Sequence, residues 1–154
     1  MSLDPEFVAD CPYGPGGLLI DEIIEIDPAE GRVVARMPTH EDLPLTREQR
    51  THEVRHPRHV SGGLMIHMTG MMGFVHSYYV LGMKHADGWI GYGVRIKDAR
   101  FHAIARPGEP LRLECVAKRV RKQPARVFAE YSFKFTQNGA LVYEGEQSAM
   151  WQKV

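Results

Sequence analysis

Residues 60–83 read VSGGLMIHMTGMMGFVHSYYVLGM, a stretch without a single Asp, Glu, Lys or Arg. Its length favours a helix over a strand. Ser61 suits the N-cap of such a helix, and Gly82 suits its end. A helix that is apolar on nearly every face must be covered on nearly every face. The stretch therefore predicts a helix over Ser61–Leu81 at the centre of the fold.

The same stretch is long enough to cross a bilayer, so a membrane span has to be considered. It contains five glycines, and it also contains His67, His76, Ser61, Ser77 and Thr69. These residues are poor partners for lipid. Because the residues that follow read as amphipathic strands, we expect no membrane-spanning segment.

Strand patterns lie on both sides of the predicted helix. Leu18–Asp27 and Arg32–Met37 predict a hairpin before it, and 40–60 is irregular, with a short helix near Thr46–Arg50. Four strands are expected after it, at Trp89–Phe101, around Leu111–Cys115, around Val127–Phe135 and at Leu141–Val154, with turns at Pro107-Gly108 and Asn138-Gly139. This order predicts an α+β domain in which a curved antiparallel sheet wraps around the helix.

Length and composition narrow the class of protein. The 154 residues suit one domain, 1–154, and 19 basic residues balance 19 acidic ones. That balance argues against nucleic acid and anionic membrane as partners. Only Cys11 and Cys115 are present, and Met1–Glu6 does not read as a signal peptide. We expect a cytoplasmic protein. Because pairing two sheets would remove a free edge, we also expect a homodimer or a higher homo-oligomer.

Three sequence pieces carry a resemblance to a known family. They are Leu18–Asp21 with Ile23–Asp27, Val60–Leu64, and Asp98–Phe101 with Ala105–Glu109. Over roughly Pro12 to the C-terminus, the chain resembles the hot-dog superfamily. It looks most like the β-hydroxyacyl-carrier-protein dehydratases, and it is also similar to the small hot-dog acyl-CoA thioesterases.

The resemblance implies a dimer of hot dogs that acts on an acyl thioester. The acyl group would be carried by coenzyme A or by the phosphopantetheine of an acyl carrier protein, and no other cofactor is implied. The thioester would lie in a tunnel shared by two subunits, at the start of the central helix. Its carbonyl would accept a hydrogen bond from backbone N–H at the glycine entry, so Gly62, Gly63 and Leu64 are the expected substrate-binding residues.

Elementary physics supports a site at this entry. The first N–H groups of a helix lack internal partners and carry partial positive charge. Glycines there let a ligand approach the backbone closely, so a carbonyl oxygen would be polarised and an oxyanion stabilised. The alternative interpretation is that Gly62 and Gly63 only allow tight packing between helix and sheet.

Histidines are the candidate acid–base groups. His56 and His59 precede the helix, and His67 lies on it. His56-Pro57 is the nearest match to the dehydratases' catalytic histidine loop, but it lacks that loop's glycine and sits closer to the helix. One group of thioesterases has a histidine where this chain has Ser61. A histidine near neutrality can act as a base on water or on a hydroxyacyl carbon.

Other interpretations of these histidines remain open. The loop histidines can be solvated side chains, and His67 can be a core residue bonded to a backbone carbonyl. The spacing of His52, His56 and His59 is compatible with zinc, but no fourth ligand is evident and we expect no metal. Among the nearby cations, Arg58 is the expected contact for the substrate.

One departure from the family pattern bears on the reaction. The dehydratases place a carboxylate on the helix at the position of Met68, and one thioesterase group places it at Gly70. Dehydration needs two catalytic groups, and the helix carboxylate that would be one of them is missing here. Hydrolysis needs only a polarised carbonyl and a positioned water. We expect a thioesterase. A 3-hydroxyacyl dehydratase or hydratase, with an acid from elsewhere such as Glu41 or Glu53, and a non-catalytic acyl-binding homologue are the alternatives.

A basic cluster occurs near Gln123-Pro124, a predicted hairpin tip. It could hold coenzyme A phosphates or the acidic face of a carrier protein, or it could be a solvated turn. Its members are Lys118, Arg119, Arg121, Lys122 and Arg126.

Overall fold

The apolar stretch forms a helix over Gly62–Tyr79 in the computed structural model, which describes residues 1–154. Ser61 is its N-cap, as expected, because the Ser61 Oγ accepts a hydrogen bond of 3.1 Å from the Gly63 N–H. Within the helix only Gly63 and Gly70 are exposed. The helix is therefore enclosed along nearly its whole length.

Nine further elements surround this helix. Two short helices precede the first strand, and a single 3₁₀ turn, His85–Asp87, follows the central helix. In chain order the elements are α1 (Pro5–Asp10), α2 (Pro15–Leu18), β1 (Glu22–Asp27), β2 (Arg32–Met37), α3 (Gly62–Tyr79), β3 (Trp89–Phe101), β4 (Leu111–Gln123), β5 (Arg126–Gln137) and β6 (Ala140–Lys153).

The strands form one six-stranded sheet in the order β1-β2-β4-β5-β6-β3, with antiparallel neighbours throughout. Alternate residues of its strands point at α3, as the two-residue period requires. The buried side chains that meet the helix from the middle strands include Leu111, Leu113, Cys115, Ala129, Tyr131, Phe133 and Phe135. The α+β arrangement expected from the element order is confirmed.

The two edges of the sheet differ. β1 is only six residues long, whereas β3 has 13 residues and is exposed along most of its length. Ile90, Tyr92, Val94 and Ile96 of β3 are each between 44% and 51% exposed. One long edge strand therefore exposes apolar side chains and has no strand paired on its outer side.

The residues before β1 cover the end of α3. Phe7 is fully buried, and its ring centroid lies 5.0 Å from that of Phe74 and 5.2 Å from that of Tyr78. The Asp10 carboxylate accepts hydrogen bonds of 2.8 Å from the backbone N–H groups of His85 and Ala86. The N-terminal segment is thus tied to the turn that leads into β3.

Three expectations about local structure are wrong. The strand predicted over Leu18–Asp27 begins at Glu22, because Leu18 ends α2 and Leu19 has a φ of 60°, which breaks an extended chain. Residues 46–48 form a turn and residues 49–50 have no regular structure, so the short helix is absent. The central helix ends at Tyr79, two residues before the predicted Leu81, and Gly82 follows with a φ of 66°.

The remaining elements agree with their predictions. Trp89–Phe101 is a strand, and the turns at Gly108 and Asn138-Gly139 have positive φ, which glycine and asparagine tolerate. None of the helices has both the length and the apolar character that crossing a bilayer requires.

The packing of Phe7 predicts that the N-terminal segment contributes to global stability. Phe7→Ala should lower the free energy of unfolding by about 3–5 kcal/mol, because a fully buried aromatic side chain leaves a cavity. Val54→Ala is the control, since Val54 is 85% exposed and its truncation should change the value by less than about 0.5 kcal/mol. Urea unfolding followed by circular dichroism measures both; equal values for the two variants would contradict the expectation.

Candidate functional site

Two cavities lie along one side of α3. Gly62, Ile66, Thr69 and Gly73 are spaced by three or four residues, so they share one helix face. A cavity of about 430 Å³ opens at Gly62, and a cavity of about 780 Å³ opens at the other three. We call this line between α3 and strands β3 and β6 the seam.

The smaller cavity contains the predicted glycine entry. The Gly63 N–H donates to the Ser61 side chain, and the Leu64 N–H donates to the Ser61 carbonyl at 3.0 Å. The Gly62 N–H has no hydrogen-bond partner in the chain, and Gly62 lines the cavity. Of the three predicted substrate-binding amides, only that of Gly62 is therefore free to meet a ligand.

Phe101 packs against the backbone at position 62. A Cβ on Gly62 would lie 2.8 Å from the Phe101 ring, closer than carbon atoms approach, whereas a Cβ on Gly63 would make ordinary contacts of 3.5 Å. Phe101 itself is 54% exposed, and with Val60, Met65 and Ile104 it gives the cavity apolar walls. The free amide thus sits in apolar surroundings, where a hydrogen bond to a charged oxygen is strengthened.

Two histidines line this cavity: His102, whose Nε2 lies 2.9 Å from a Glu144 carboxylate oxygen, and His59. Gln49 holds its backbone, accepting from the His59 N–H at 3.0 Å and donating to the His59 carbonyl at 3.0 Å. The His59 Nδ1 lies 2.8 Å from the Pro57 carbonyl oxygen, which can only accept, so Nδ1 carries the proton. The Nε2 of the neutral ring is left with a free lone pair. It is a base candidate with a fixed tautomer.

The other predicted residues lie around this cavity or away from it. The His56 ring centroid is 5.2 Å from that of His59, but His56 does not line the cavity. Arg58 donates to the Thr46 carbonyl at 2.7 Å, so its guanidinium braces the loop. Leu64 is buried in the core. The structure therefore groups His56, His59 and Gly62 and leaves Arg58 and Leu64 outside the group.

The larger cavity exists because small residues face each other across the seam. Gly70 and Gly73 lie on the helix side, and Gly91 and Gly93 lie opposite on β3. A Cβ on Gly70 or Gly93 would meet nothing within 4 Å. Aromatic side chains form much of the remaining wall, namely Tyr13, Phe74, Tyr92, Tyr131 and Trp151.

His67 lines the larger cavity rather than the smaller one. Its Nε2 lies 2.7 Å from the Gly17 carbonyl oxygen, and its ring packs edge-on against Tyr13 at 4.8 Å between centroids. This bond to a backbone carbonyl is the one expected if His67 is a core residue. His67 is five residues beyond Gly62, so it does not act together with His59 on one small group within a protomer.

Sequence reasoning missed a role for Phe101 and for Gln147. Gln147 is an inward residue of β6 and meets Thr69 across the seam, with 3.0 Å between the Thr69 Oγ1 and the Gln147 Oε1. No local signal distinguishes Gln147 from the other polar residues of an alternating strand. Its position becomes visible only when β6 is placed beside α3.

Charged groups are scarce in the seam. Neither cavity is lined by an Asp or Glu, so Glu41 and Glu53 do not replace the helix carboxylate in this protomer. No group of three or more His, Cys, Asp and Glu side chains is arranged to hold a metal ion. The basic cluster lies on the β4–β5 hairpin, by the C-terminal end of α3, where Lys122 acts on His76. It is therefore separated from Gly62 by about the helix length, roughly 27 Å.

A buried histidine lies beneath the larger cavity. The His76 Nδ1 is 2.8 Å from the Tyr131 hydroxyl, and both side chains are almost completely buried. Burial, and to a lesser extent the charge of Lys122, lower the pKa of His76 to about 4. His76 is therefore neutral at physiological pH and accepts the Tyr131 hydroxyl proton.

Comparison with solved structures identifies the fold. The chain superposes with a TM-score of 0.64 on a variant of the thioesterase PA1618 from Pseudomonas aeruginosa, at 16% identity over 100% of this chain and 97% of that one. It matches the dehydratase heterocomplex ApeI:P from Xenorhabdus doucetiae with a TM-score of 0.63, at 13% identity over 96% and 90%. The PaaI protein of the E. coli phenylacetic acid degradation operon gives 0.62, at 15% identity over 88% and 85%.

These similarities show that the chain has the hot-dog fold, as the sequence resemblance implied. No protein-family model matches the sequence, and no curated protein matches it. At such low identity the similarity to solved structures establishes the fold alone. Which chemistry the chain can perform depends on the residues that line the seam.

The burial of His76 predicts how stability depends on pH. The pKa of about 4 in the folded protein lies below the ordinary 6.5, so the unfolded chain binds the extra proton first. Stability from this group is complete above pH 6.5 and is lost as the pH falls toward 4, by about 3 kcal/mol. The measurement is urea unfolding across this range for the wild type and His76→Gln, which keeps an acceptor for Tyr131. Equal slopes for the two proteins would contradict the assignment.

Proposed function

We propose that this protein hydrolyses acyl thioesters at the start of α3. The observation that carries the proposal is the free Gly62 N–H, which opens into an apolar cavity beside the unprotonated Nε2 of His59. A thioester carbonyl placed there accepts a hydrogen bond from Gly62. The acyl group extends along the seam, where the two cavities provide room.

The chemical step follows from these two groups. His59 Nε2 removes a proton from water while the water oxygen attacks the thioester carbon, and the oxyanion that forms is stabilised by the Gly62 N–H. Collapse of the intermediate breaks the C–S bond. The imidazolium returns its proton to the leaving thiolate, so the products are a carboxylic acid and a thiol. His56, next to His59, is the second candidate for the proton transfer.

Hydrolysis is favoured over dehydration by the lining of the seam. Dehydration of a 3-hydroxyacyl group needs one group to remove a proton and another to donate one to the departing hydroxyl. The lining of both cavities lacks a carboxylate, so both groups of such a pair would have to be histidines or tyrosines. The dehydratase or hydratase remains the alternative enzyme, and a binding-only homologue remains the alternative without catalysis.

The proposal includes a homodimer formed through β3. This strand is 13 residues long, lies at the sheet edge and exposes apolar side chains on an unpaired backbone. Such an edge pairs readily with another strand. Antiparallel pairing with a second copy would continue the sheet and cover the open side of the seam. It would also bring the partner's basic hairpin toward the Gly62 end, where the phosphates of coenzyme A or of a carrier protein's phosphopantetheine would lie. The proposed location of the protein is the cytoplasm.

The proposed activity is tested with a panel of acyl-CoA thioesters and detection of the released thiol. The wild type should release thiol, and the double variant His56→Ala/His59→Ala should lose about 100-fold or more in kcat/KM, because general-base catalysis contributes this much. His40→Ala is the control, since His40 is exposed and lines neither cavity. Thiol release that survives in the double variant at the wild-type rate would exclude the proposed mechanism.

The proposed dimer is tested by light scattering after size-exclusion chromatography. Val94→Lys should yield a monomer, because a lysine on an edge strand opposes strand pairing. Ile24→Lys on β1 is the matched control: Ile24 is 47% exposed and Val94 is 51% exposed, but β1 is the short edge. A wild-type monomer, or a dimer that is broken only by Ile24→Lys, would contradict pairing through β3.

A further inference from the structure

Three glycines line the larger cavity at positions where the backbone does not require glycine. Gly70 and Gly73 lie in the interior of α3, and Gly93 lies in β3. None of them has a positive φ, so the backbone there would accept a side chain. Glycine is the least favourable residue after proline inside a helix, and it also weakens a strand. The three glycines therefore lower stability without serving the conformation of the chain.

Packing does not require these glycines either. A Cβ built on Gly70 or Gly93 would meet nothing within 4 Å, and a Cβ on Gly73 would make only an ordinary contact of 4.0 Å. Gly91, on the same strand as Gly93, is different, because its Cβ would overlap the Trp151 indole. What Gly70, Gly73 and Gly93 have in common is that each leaves space in the cavity.

The space that these glycines leave is large enough for a ligand. The cavity of about 780 Å³ lies within the range of about 300–1,000 Å³ that is typical of small-molecule sites. A residue that lowers stability and has no structural use indicates a functional one, because binding sites are often maintained at the expense of stability. We therefore infer that the space is filled when the protein binds its substrate.

The lining of this space suits an apolar ligand. No Asp, Glu or Lys lines the cavity, and Arg95 pairs with Ser148, whose side chain points to the sheet face away from α3. His67, Gln147 and Tyr131 line the cavity, but each already has a hydrogen-bond partner within the chain. A charged group would find no opposite charge here, whereas a hydrocarbon chain would gain from leaving water.

Distances along α3 give the length of chain that would fill this space. Gly70 and Gly73 lie eight and eleven residues beyond Gly62, which corresponds to about 12 and 16.5 Å along the helix axis. An extended hydrocarbon chain advances about 1.2 Å per bond, one third of the advance of an extended residue. A chain whose carbonyl lies at Gly62 therefore reaches Gly70 with about ten carbons and Gly73 with about fourteen.

We propose that Gly70, Gly73 and Gly93 make this protein selective for long acyl chains, of about ten to fourteen carbons. The inference rests on the proposed function and specifies its substrate. The thioester lies at Gly62, and the distal part of the acyl chain fills the space that the glycines leave. A bulky side chain at position 70 would stop a long chain there, whereas a short chain would end before meeting it.

A series of acyl-CoA thioesters of increasing length tests the selectivity. The series consists of butanoyl-, octanoyl-, dodecanoyl- and tetradecanoyl-CoA, with phenylacetyl-CoA as a compact aromatic substrate. We expect kcat/KM to rise at least about tenfold from octanoyl-CoA to dodecanoyl-CoA, because each buried methylene favours binding by about fourfold. Equal values across the series, or the highest value for butanoyl-CoA or phenylacetyl-CoA, would overturn the inference.

Leucine substitutions locate the selectivity. Gly70→Leu should lower kcat/KM for dodecanoyl-CoA at least about tenfold and leave that for butanoyl-CoA within about twofold of the wild type. Gly93→Leu, on the facing strand, should do the same. Gly16→Leu is the matched control, because Gly16 is exposed, its Cβ would meet nothing within 4 Å, and it lines neither cavity. An unchanged length profile in both cavity variants, or an equal loss for every chain length, would contradict the assignment.

Gly70→Ala tests whether the space is free of other parts of the protein. Its Tm should rise by about 2–4 °C, because alanine favours the helix and displaces no neighbour. Its mass, measured by light scattering after size-exclusion chromatography, should equal that of the wild type. A lower Tm or a changed mass would show that another segment, such as part of a second copy of the chain, fills the space, and this result would overturn the inference.

A binding measurement separates this inference from the proposed function. Non-hydrolysable thioether analogues of butanoyl-CoA and dodecanoyl-CoA are titrated into the wild type and Gly70→Leu by calorimetry. Tighter binding of the longer analogue by the wild type alone, without any thiol release from the thioesters, would refute hydrolysis and retain the length selectivity. Thiol release at the same kcat/KM for every length would retain hydrolysis and refute the selectivity. Neither binding nor thiol release would refute both.

Discussion

A helix without a charged residue has to be enclosed, and this constraint shapes the whole molecule. The sheet covers α3 from β2 and β4, Tyr131 of β5 contacts His76, and the N-terminal segment covers the end of α3 through Phe7. What remains is the side facing β3 and β6, where small residues on the helix meet small residues on the strand. The seam is the side of α3 that this packing leaves partly uncovered, so the candidate site is a consequence of how the helix is buried.

The seam joins two different kinds of chemistry on one helix face. At its start, the Gly62 N–H, which helix capping leaves free, shares a cavity with His59, whose tautomer is fixed by the Pro57 carbonyl. Further along, uncharged side chains offer hydrogen bonds between aromatic walls. A carboxylate at Met68 would be desolvated by the core, since Met68 is fully buried, and would resist ionisation. Neutral groups do not carry this penalty for burying a charge, which is consistent with histidines as the acid–base groups of the seam.

Much of the fold could be predicted from the sequence, because it depends on period and composition. The long apolar run, the alternation in Val127–Phe135 and the turn at Asn138-Gly139 are local signals, and each produced the expected element. The start of β1 was misplaced because the left-handed Leu19 leaves no mark in the sequence. The helix Pro5–Asp10 was missed because it is short and is stabilised by Phe7, whose partners are far along the chain.

The site was less predictable because it also depends on contacts between segments that are far apart in the chain. Gly62 could be named in advance, since helix starts and glycines have known properties, but its neighbour Gly63 looked equivalent until the Ser61 cap and the Phe101 ring distinguished them. His67 carried two interpretations that sequence could not separate, and the bond to Gly17 decides where its proton lies rather than whether it has a role. The tautomer of His67 is set by a contact between distant segments. Function in this seam depends on such contacts more than on residue types, so residue spacing locates the site while only the packed structure tells which atom of each side chain is free to act.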